Sequence, residues 1–129
     1  MKRSLLLIAA VVPIAACTDE TESTAAVRAP PVEVVGEARS CILVSRIQNT
    51  RVHDDYTIDF DMAGNEVYRN TLPNRCPSLG FEERFAYEVS TGQLCDLDHI
   101  HVLQGGAAGP GPVCSLGKFV PVRYVEPAG

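Results

Sequence analysis

The chain has 129 residues, no tryptophan, and 16 acidic against 11 basic side chains, for a formal net charge of −5. This acidic balance argues against a nucleic-acid or anionic-membrane surface, because both would repel the chain. Roughly 90 residues are available to fold once the ends are set aside, which limits the protein to one small domain.

The N-terminus predicts an export signal. Two basic residues precede an apolar run from Leu5 to Ala16, which is too short to span a bilayer comfortably. The segment IAAC at residues 14–17 resembles the lipobox of bacterial lipoproteins. The resemblance implies a signal peptide over residues 1–16 and a diacylglyceryl group on the sulfur of Cys17. Ordinary signal cleavage further on, for example after Ala25, is the alternative.

Lipidation at Cys17 predicts a protein held on a bacterial membrane without spanning it, since several acyl chains make a stable anchor. Asp19 is not immediately after Cys17, which favours the outer membrane, facing the periplasm, over the inner membrane. The mature chain keeps nine basic against 16 acidic side chains, for a net charge of −7. Residues 17–37, broken by two prolines, predict a flexible linker, in which the segment VEVV is a less favoured candidate for a short edge strand.

Four cysteines remain besides Cys17, namely Cys41, Cys76, Cys95 and Cys114. In an oxidising compartment an even number predicts two disulfides. Three pairings are possible, and we favour the nested one, Cys41 with Cys114 and Cys76 with Cys95. A zinc site is disfavoured, because structural zinc ligands usually come in close pairs and the gaps here run from 19 to 35 residues.

Residues 56–72 predict a β-hairpin, because apolar and polar side chains alternate on the way into a Gly-Asn turn. A three-residue loop would place Phe60 opposite Tyr68 on the core side and Asp59 opposite Arg69 on the solvent side. A two-residue loop, which would pair Phe60 with Arg69, is the disfavoured alternative.

Short strand patterns recur on both sides of this hairpin, separated by turn residues. The expected strands cover residues 40–47, 85–90, 94–103 and 118–124. Pro121 assigns the last one to a sheet edge, because proline lacks the N–H that a central strand needs. The sequence therefore predicts one all-β domain over residues 38–126. The expected architecture is a small disulfide-stabilised barrel or two-layer sandwich of about five to seven short strands with little helix.

Several segments together resemble a family of small bacterial envelope lipoproteins of unknown function. They are CILVSRIQNTRVHDDYTIDFDM, VYRNTLPNRCPSLGFE, STGQLC and CSLGKF. The resemblance extends from Cys41 to Phe119 and is most specific in RNTLPNRCP and in the placing of the four cysteines. It implies an envelope location and disulfides, and it brings no activity or cofactor.

The segment DLDHIH contains the clearest metal candidate. His99 and His101 would project from the same face of a strand, and imidazole is a common ligand of zinc, copper and nickel. A site would need a further ligand, such as His53. Two ordinary histidines on a polar strand face are the favoured interpretation, so no metal or other cofactor is predicted.

Four aspartates, Asp54, Asp55, Asp59 and Asp61, superficially suggest a calcium site. An EF-hand loop needs alternating oxygen ligands, a central glycine and a late glutamate, and this segment lacks that pattern. We therefore expect a solvated strand face with cross-strand charge pairs.

The exit of the hairpin contains the only candidate recognition patch, formed by Tyr68, Arg69, Asn70 and Arg75. Arginine side chains match carboxylates and phosphates, so this patch would bind an anionic group. The alternative is structural, with Arg69 and Arg75 satisfying acidic neighbours around the Cys76 corner.

No catalytic residue is predicted, because no unpaired thiol and no serine-nucleophile motif stands out. The sequence predicts a non-catalytic interaction or accessory domain that acts on an envelope protein and not on nucleic acid. A periplasmic domain that binds a small ligand or a metal is the alternative.

Overall fold

The computed structural model describes Ala10, residues 28–106 and residues 109–125, which are mostly β-strand. The strands are β1 (Val32–Val34), β2 (Cys41–Leu43), β3 (Ile47–Val52), β4 (Thr57–Met62), β5 (Glu66–Thr71), β6 (Phe85–Tyr87), β7 (Gln93–Cys95), β8 (His99–Val102), β9 (Val113–Ser115) and β10 (Phe119–Tyr124). A 3-10 turn, Val44–Arg46, joins β2 to β3, and α1 (Leu79–Glu82) is one helical turn. No helix in these residues has the length and apolarity of a membrane span. Cys17 lies outside the described residues, and so does the expected signal peptide except for Ala10.

Three antiparallel sheets make up the domain: a five-stranded sheet in the order β1-β10-β5-β4-β3, a three-stranded sheet β6-β8-β9, and the pair β2-β7. Phe60 of β4 packs edge-to-face on Phe119 of β10, with ring centroids 5.4 Å apart, and on Phe85 of β6 at 6.3 Å. These contacts join the two larger sheets in one core. The prediction of a disulfide-stabilised all-β domain is confirmed. In the described residues the sheets do not close into a barrel, and ten short strands replace the expected five to seven.

The β4–β5 hairpin has the predicted register. Phe60 lies opposite Tyr68 and Asp59 opposite Arg69, across a three-residue loop in which Asn65 is left-handed with φ of 61°. Phe60 and Tyr68 are buried in the core as expected. The other face differs from the prediction, because Asp59 is completely buried as well.

The main sheet starts earlier in the chain than predicted. Strand β1 falls within the expected linker of residues 17–37, and it pairs with β10, so the domain begins before residue 38. As a result β10 lies between β1 and β5, and the prediction that Pro121 marks an edge strand is wrong. The Pro121 carbonyl accepts a hydrogen bond from the Val35 N–H at 2.9 Å, beyond the last β1 residue. The missing N–H of Pro121 therefore faces the point where pairing with β1 ends.

The two disulfides are crossed, so the expected nested pairing is wrong. Cys41 is bonded to Cys95 and Cys76 to Cys114. Cys41 and Cys95 lie directly opposite each other in the β2–β7 pair. The sequence spacing gave no sign of that pairing, because β2 and β7 are separated by the whole β3–β5 unit.

The expected continuous strand over residues 94–103 is two strands that belong to different sheets. A turn separates them, in which Leu97 has a φ of 68° and the Asp98 carboxylate accepts a hydrogen bond from the Cys95 N–H at 2.7 Å. Short polar side chains such as aspartate favour turns of this kind. The chain thus passes from the β2–β7 pair, to which β7 belongs, into the three-stranded sheet, to which β8 belongs.

Candidate functional site

A buried carboxylate, Asp59, is the centre of a polar cluster on the face of β4 opposite Phe60. The guanidinium of Arg69 binds it in a bidentate manner, with Nε 2.8 Å from Oδ1 and Nη2 3.0 Å from Oδ2. The Nε2 atom of His53 lies 2.8 Å from Oδ2, and the Tyr124 hydroxyl donates to the same oxygen at 2.5 Å. We refer to Asp59, Arg69, His53 and Tyr124 as the Asp59 cluster.

Four strands and the N-terminal segment meet at the Asp59 cluster. Asp59 and Arg69 come from paired positions of β4 and β5, His53 follows β3, and Tyr124 ends β10. Arg69 Nη1 also donates to the Pro30 carbonyl at 2.9 Å, which ties the segment before β1 to the same point. The cluster therefore connects parts of the chain that are far apart in sequence.

The ionisation of the Asp59 cluster is set by competition between burial and hydrogen bonds. Burial alone would raise the pKa of Asp59, but hydrogen bonds from Arg69, Tyr124 and His53 outweigh it and hold this pKa below its usual value. Burial and the bond to Asp59 raise the pKa of Tyr124 to about 12. At neutral pH Asp59 is thus an ionised acceptor and Tyr124 a protonated donor. Neither pKa is near neutrality, where general acid–base catalysis is most effective.

Arg51 extends the cluster along β3. Its Nη2 lies 2.7 Å from Asp61 Oδ1, and its guanidinium lies over the Tyr124 ring, 4.8 Å from the centroid. Its Nε is buried without a hydrogen-bond partner in the described part of the chain. Burial lowers the pKa of Arg51, but the hydrogen bond to Asp61 and the charges of Tyr124, Asp61 and Asp59 together outweigh it and raise this pKa, so the side chain stays charged.

An open groove of about 830 Å³ lies between residues 35–39, the start of β5 and the end of β10. Its apolar lining includes Val35, Val67 and Pro121, whereas Glu37 and Arg123 add charge. Val35 is 52% exposed. We refer to this feature as the Val35 groove.

A second cleft, of about 530 Å³, surrounds the turn between β3 and β4 and includes Phe81 of α1. Asp55 accepts hydrogen bonds from Arg75 Nε at 2.9 Å and from the Gly80 N–H at 2.8 Å. Asp54 accepts from the Arg28 N–H at 3.0 Å and from the Tyr56 N–H at 2.8 Å. The two carboxylates thus hold α1, the hairpin exit and the N-terminal segment together. We refer to this feature as the Asp55 cleft.

The predicted recognition patch is not assembled. Tyr68 and Asn70 point into the core and are buried, Arg69 lies in the Asp59 cluster on the opposite face, and Arg75 binds Asp55. Side chains alternate between the faces of a strand, so consecutive residues of β5 cannot form one surface. Both arginines thus pair with acidic side chains, Arg75 at the Cys76 corner and Arg69 away from it.

Asn70 is a structural residue whose role the sequence did not reveal. Its amide nitrogen donates to the Gly117 carbonyl at 2.7 Å, and its amide oxygen accepts from the Gly117 N–H at 2.8 Å. Residue 117 approaches β5 so closely that a Cβ there would collide with the Thr71 carbonyl, so glycine is required.

The two candidate metal ligands share a face of β8, as predicted. His99 and His101 are both exposed, and their strand neighbours are Ser115, Ala86 and Val113. His53, the suggested third ligand, belongs to the Asp59 cluster instead. Across residues 28–106 and 109–125, no group of three or more histidine, cysteine, aspartate or glutamate side chains is arranged to hold a metal.

The four aspartates of the hairpin region are not a solvated face. Asp54 and Asp59 are buried, and Asp55 and Asp61 are half-buried and paired with arginines. The cross-strand pair of Asp59 with Arg69 was predicted, but its burial was not. The other partners of Asp59 come from distant segments, so no local pattern could have identified them.

No family model, no curated protein and no solved structure matches this chain.

Proposed function

We propose that this chain is an exported bacterial lipoprotein whose domain binds another envelope protein without catalysis. The lipid would be on Cys17 after removal of residues 1–16, and the domain would face the periplasm from the outer membrane. The N-terminal sequence and its resemblance to envelope lipoproteins support this assignment. The two disulfides support it further, since such bonds persist in oxidising compartments.

The exposed end of β1 is the observation that carries the interaction role. β1 has β10 on one side and no strand on the other within the described residues. Val34 and Val35, at this edge, are 62% and 52% exposed, and the Val35 groove adjoins them. An exposed apolar edge strand is a template for an added strand, with backbone hydrogen bonds giving affinity and side-chain pockets giving specificity.

The charge of the protein indicates what kind of segment would dock there. The mature chain has a net charge of −7, whereas the groove itself is lined by two glutamates and two arginines, Glu37, Glu66, Arg39 and Arg123. Opposite charge accelerates encounter and selects partners. The proposed partner is therefore an extended segment with apolar side chains, flanked by basic residues.

Photocrosslinking tests this interaction in intact cells that make the protein. A photoreactive amino acid at Glu37 should give a discrete adduct with one envelope protein. Val35→Asp should abolish this adduct, whereas Val113→Asp should leave it, because Val113 is similarly exposed, at 55%, but lies on β9. An adduct that survives Val35→Asp, or no adduct at all, would contradict the proposal.

Intact mass of the mature protein tests the anchor separately. We expect a chain beginning at Cys17 and carrying a lipid-sized increment, and we expect Cys17→Ser to abolish incorporation of a labelled fatty acid. A mature chain that begins at residue 26 without lipid would instead support ordinary signal cleavage.

A small-ligand function is the second candidate, because the Val35 groove lies within the size range of small-molecule sites. Native mass spectrometry of protein isolated from the envelope distinguishes the two. A stoichiometric small molecule that is lost in Val35→Asp would favour the ligand function over the protein partner.

A further inference from the structure

Phe81 is exposed in a way that no other aromatic side chain of this protein is. It is 86% exposed, whereas the other phenylalanines and all four tyrosines, which the structure also describes, are buried or half-buried. A single exposed apolar side chain is common on protein surfaces, so the position of Phe81 is informative only together with its surroundings.

The backbone that carries Phe81 is held in place by contacts on both sides of it. Leu79, two residues earlier on α1, is completely buried, and the Gly80 N–H is bonded to Asp55. The Cys76–Cys114 disulfide holds the corner that leads into α1. Since the backbone is already ordered, placing this ring in a partner costs little additional conformational entropy.

The N-terminal segment enters the domain at this same end. The N–H of Arg28 is bonded to Asp54, and both residues line the Asp55 cleft together with Phe81. Ten residues separate Cys17 from Arg28. Even fully extended the chain from Cys17 to Arg28 spans no more than about 40 Å, so a lipid on Cys17 would keep the cleft near the membrane.

The exposed side chains in and next to the Asp55 cleft suit the boundary between lipid and water. Arg75 and Glu83 line the cleft with Phe81, and Arg84 follows Glu83 in the chain. Leu103, whose N–H is bonded to the Arg84 carbonyl at 3.0 Å, is exposed as well. Arginine side chains can lie along apolar surface while their charged ends stay in water. We refer to Phe81, Arg75, Arg84 and Leu103 as the Phe81 surface.

We propose that the Phe81 surface rests on the membrane, with the Phe81 ring inserted among the headgroups of zwitterionic phospholipid. This inference depends on the proposed lipid anchor at Cys17. We propose zwitterionic and not anionic lipid, because Arg75 is paired with Asp55 and Arg84 with Glu82. These carboxylates cancel the attraction of the two arginines for anionic headgroups. The contact would orient the domain and not merely keep it near the bilayer.

Fluorescence on vesicles tests this contact, because the chain has no tryptophan of its own. Phe81→Trp in the full mature chain is coupled through the Cys17 thiol to a maleimide phospholipid in phosphatidylcholine vesicles. We expect a blue shift of the emission and loss of most of its intensity when the vesicles contain brominated lipid. Leu97→Trp is the matched control, because Leu97 is 71% exposed but lies at the opposite end of β8 from Leu103.

The outcomes separate this inference from the anchor. Emission at residue 81 that matches the residue 97 control would overturn the membrane contact, whatever the cell attaches to Cys17. A native chain without lipid would overturn the anchor and with it the basis for the contact. Phe81→Ser should leave the melting temperature unchanged, and a marked decrease would show that the ring serves the fold instead.

Discussion

Two acidic sites, Asp59 and the Asp54–Asp55 pair, lie within six residues of each other and differ in how they are satisfied. Asp59 is enclosed by side chains from three other strand regions, whereas Asp54 and Asp55 mainly bind backbone N–H groups and an exposed arginine. The difference arises in distant parts of the chain, since Tyr124 and the segment at Pro30 cover Asp59. Local alternation fixes which face a side chain occupies, and the rest of the fold decides whether that face is buried.

The largest effect is expected from Asp59→Asn. It leaves the half-buried guanidinium of Arg69 without the buried carboxylate that balances its charge, and breaking a buried ion pair in this way costs about 3–5 kcal/mol. The free energy of unfolding, measured in urea with the disulfides intact, should fall by that amount. The control Asp61→Asn, whose partner Arg51 is partly solvated, should lose only about 0.2–1 kcal/mol. Equal losses in the two variants would show that the Asp59–Arg69 pair stabilises the fold no more than the partly solvated Asp61–Arg51 pair does.

Acid should reproduce part of this loss in the unmodified protein. The pKa of Asp59 is lower in the folded than in the unfolded chain, so its contribution is present above the unfolded value of about 3.9 and is lost as the pH falls through the folded value. The free energy of unfolding should therefore decrease below about pH 4. Asp59→Asn should show a shallower decrease over the same range. An identical pH dependence in both proteins would contradict the assigned pKa shift.

Tyr124→Phe should have an intermediate effect. It removes one hydrogen bond to a buried carboxylate and keeps the ring under Arg51, at an expected cost of about 1.5–3 kcal/mol. The pKa of Tyr124 is raised to about 12, so its contribution is complete below the unfolded value and is lost as the pH rises toward 12. A tyrosinate absorbance titration should lose its step near pH 12 in this variant. If that step persists, another tyrosine is responsible for it.

The smallest effect is expected in the Asp55 cleft. Arg75→Ala removes an exposed ion pair with Asp55, and such pairs contribute only about 0.2–1 kcal/mol. Urea denaturation should detect little change, with Arg69→Ala as the contrasting variant from the Asp59 cluster. A loss for Arg75→Ala as large as that for Arg69→Ala would mean that the cleft is a second buried cluster.

The correct predictions concern structure that depends on residues close together in the sequence. The hairpin register follows from alternation and from Asn65, which tolerates the left-handed conformation of the loop. The crossed disulfides and the placing of β10 depend on pairings between distant segments, which no local pattern encodes. The acidic, proline-containing surroundings of β1 are typical of a linker, so the sequence favours a linker over a strand there.

The candidate sites follow the same rule: contacts within the hairpin are predictable from the sequence, and contacts between distant segments are not. The pairing of Asp59 with Arg69 was visible in the hairpin, but the contribution of Tyr124 required a strand 65 positions later. The predicted recognition patch does not form, because it combines residues from opposite faces of β5 with Arg75, which lies beyond the strand. Phe81 was not identified as a site, since exposure of one apolar residue cannot be deduced from composition.

The crossed disulfides also determine how the protein responds to proteolysis. Every peptide bond between Cys41 and Cys114 is enclosed by at least one of the two bridges. A single cut anywhere in that range therefore leaves one covalently continuous molecule. Even a cut between β8 and β9 would keep β10 attached through Cys114, and the fragments would separate only after reduction.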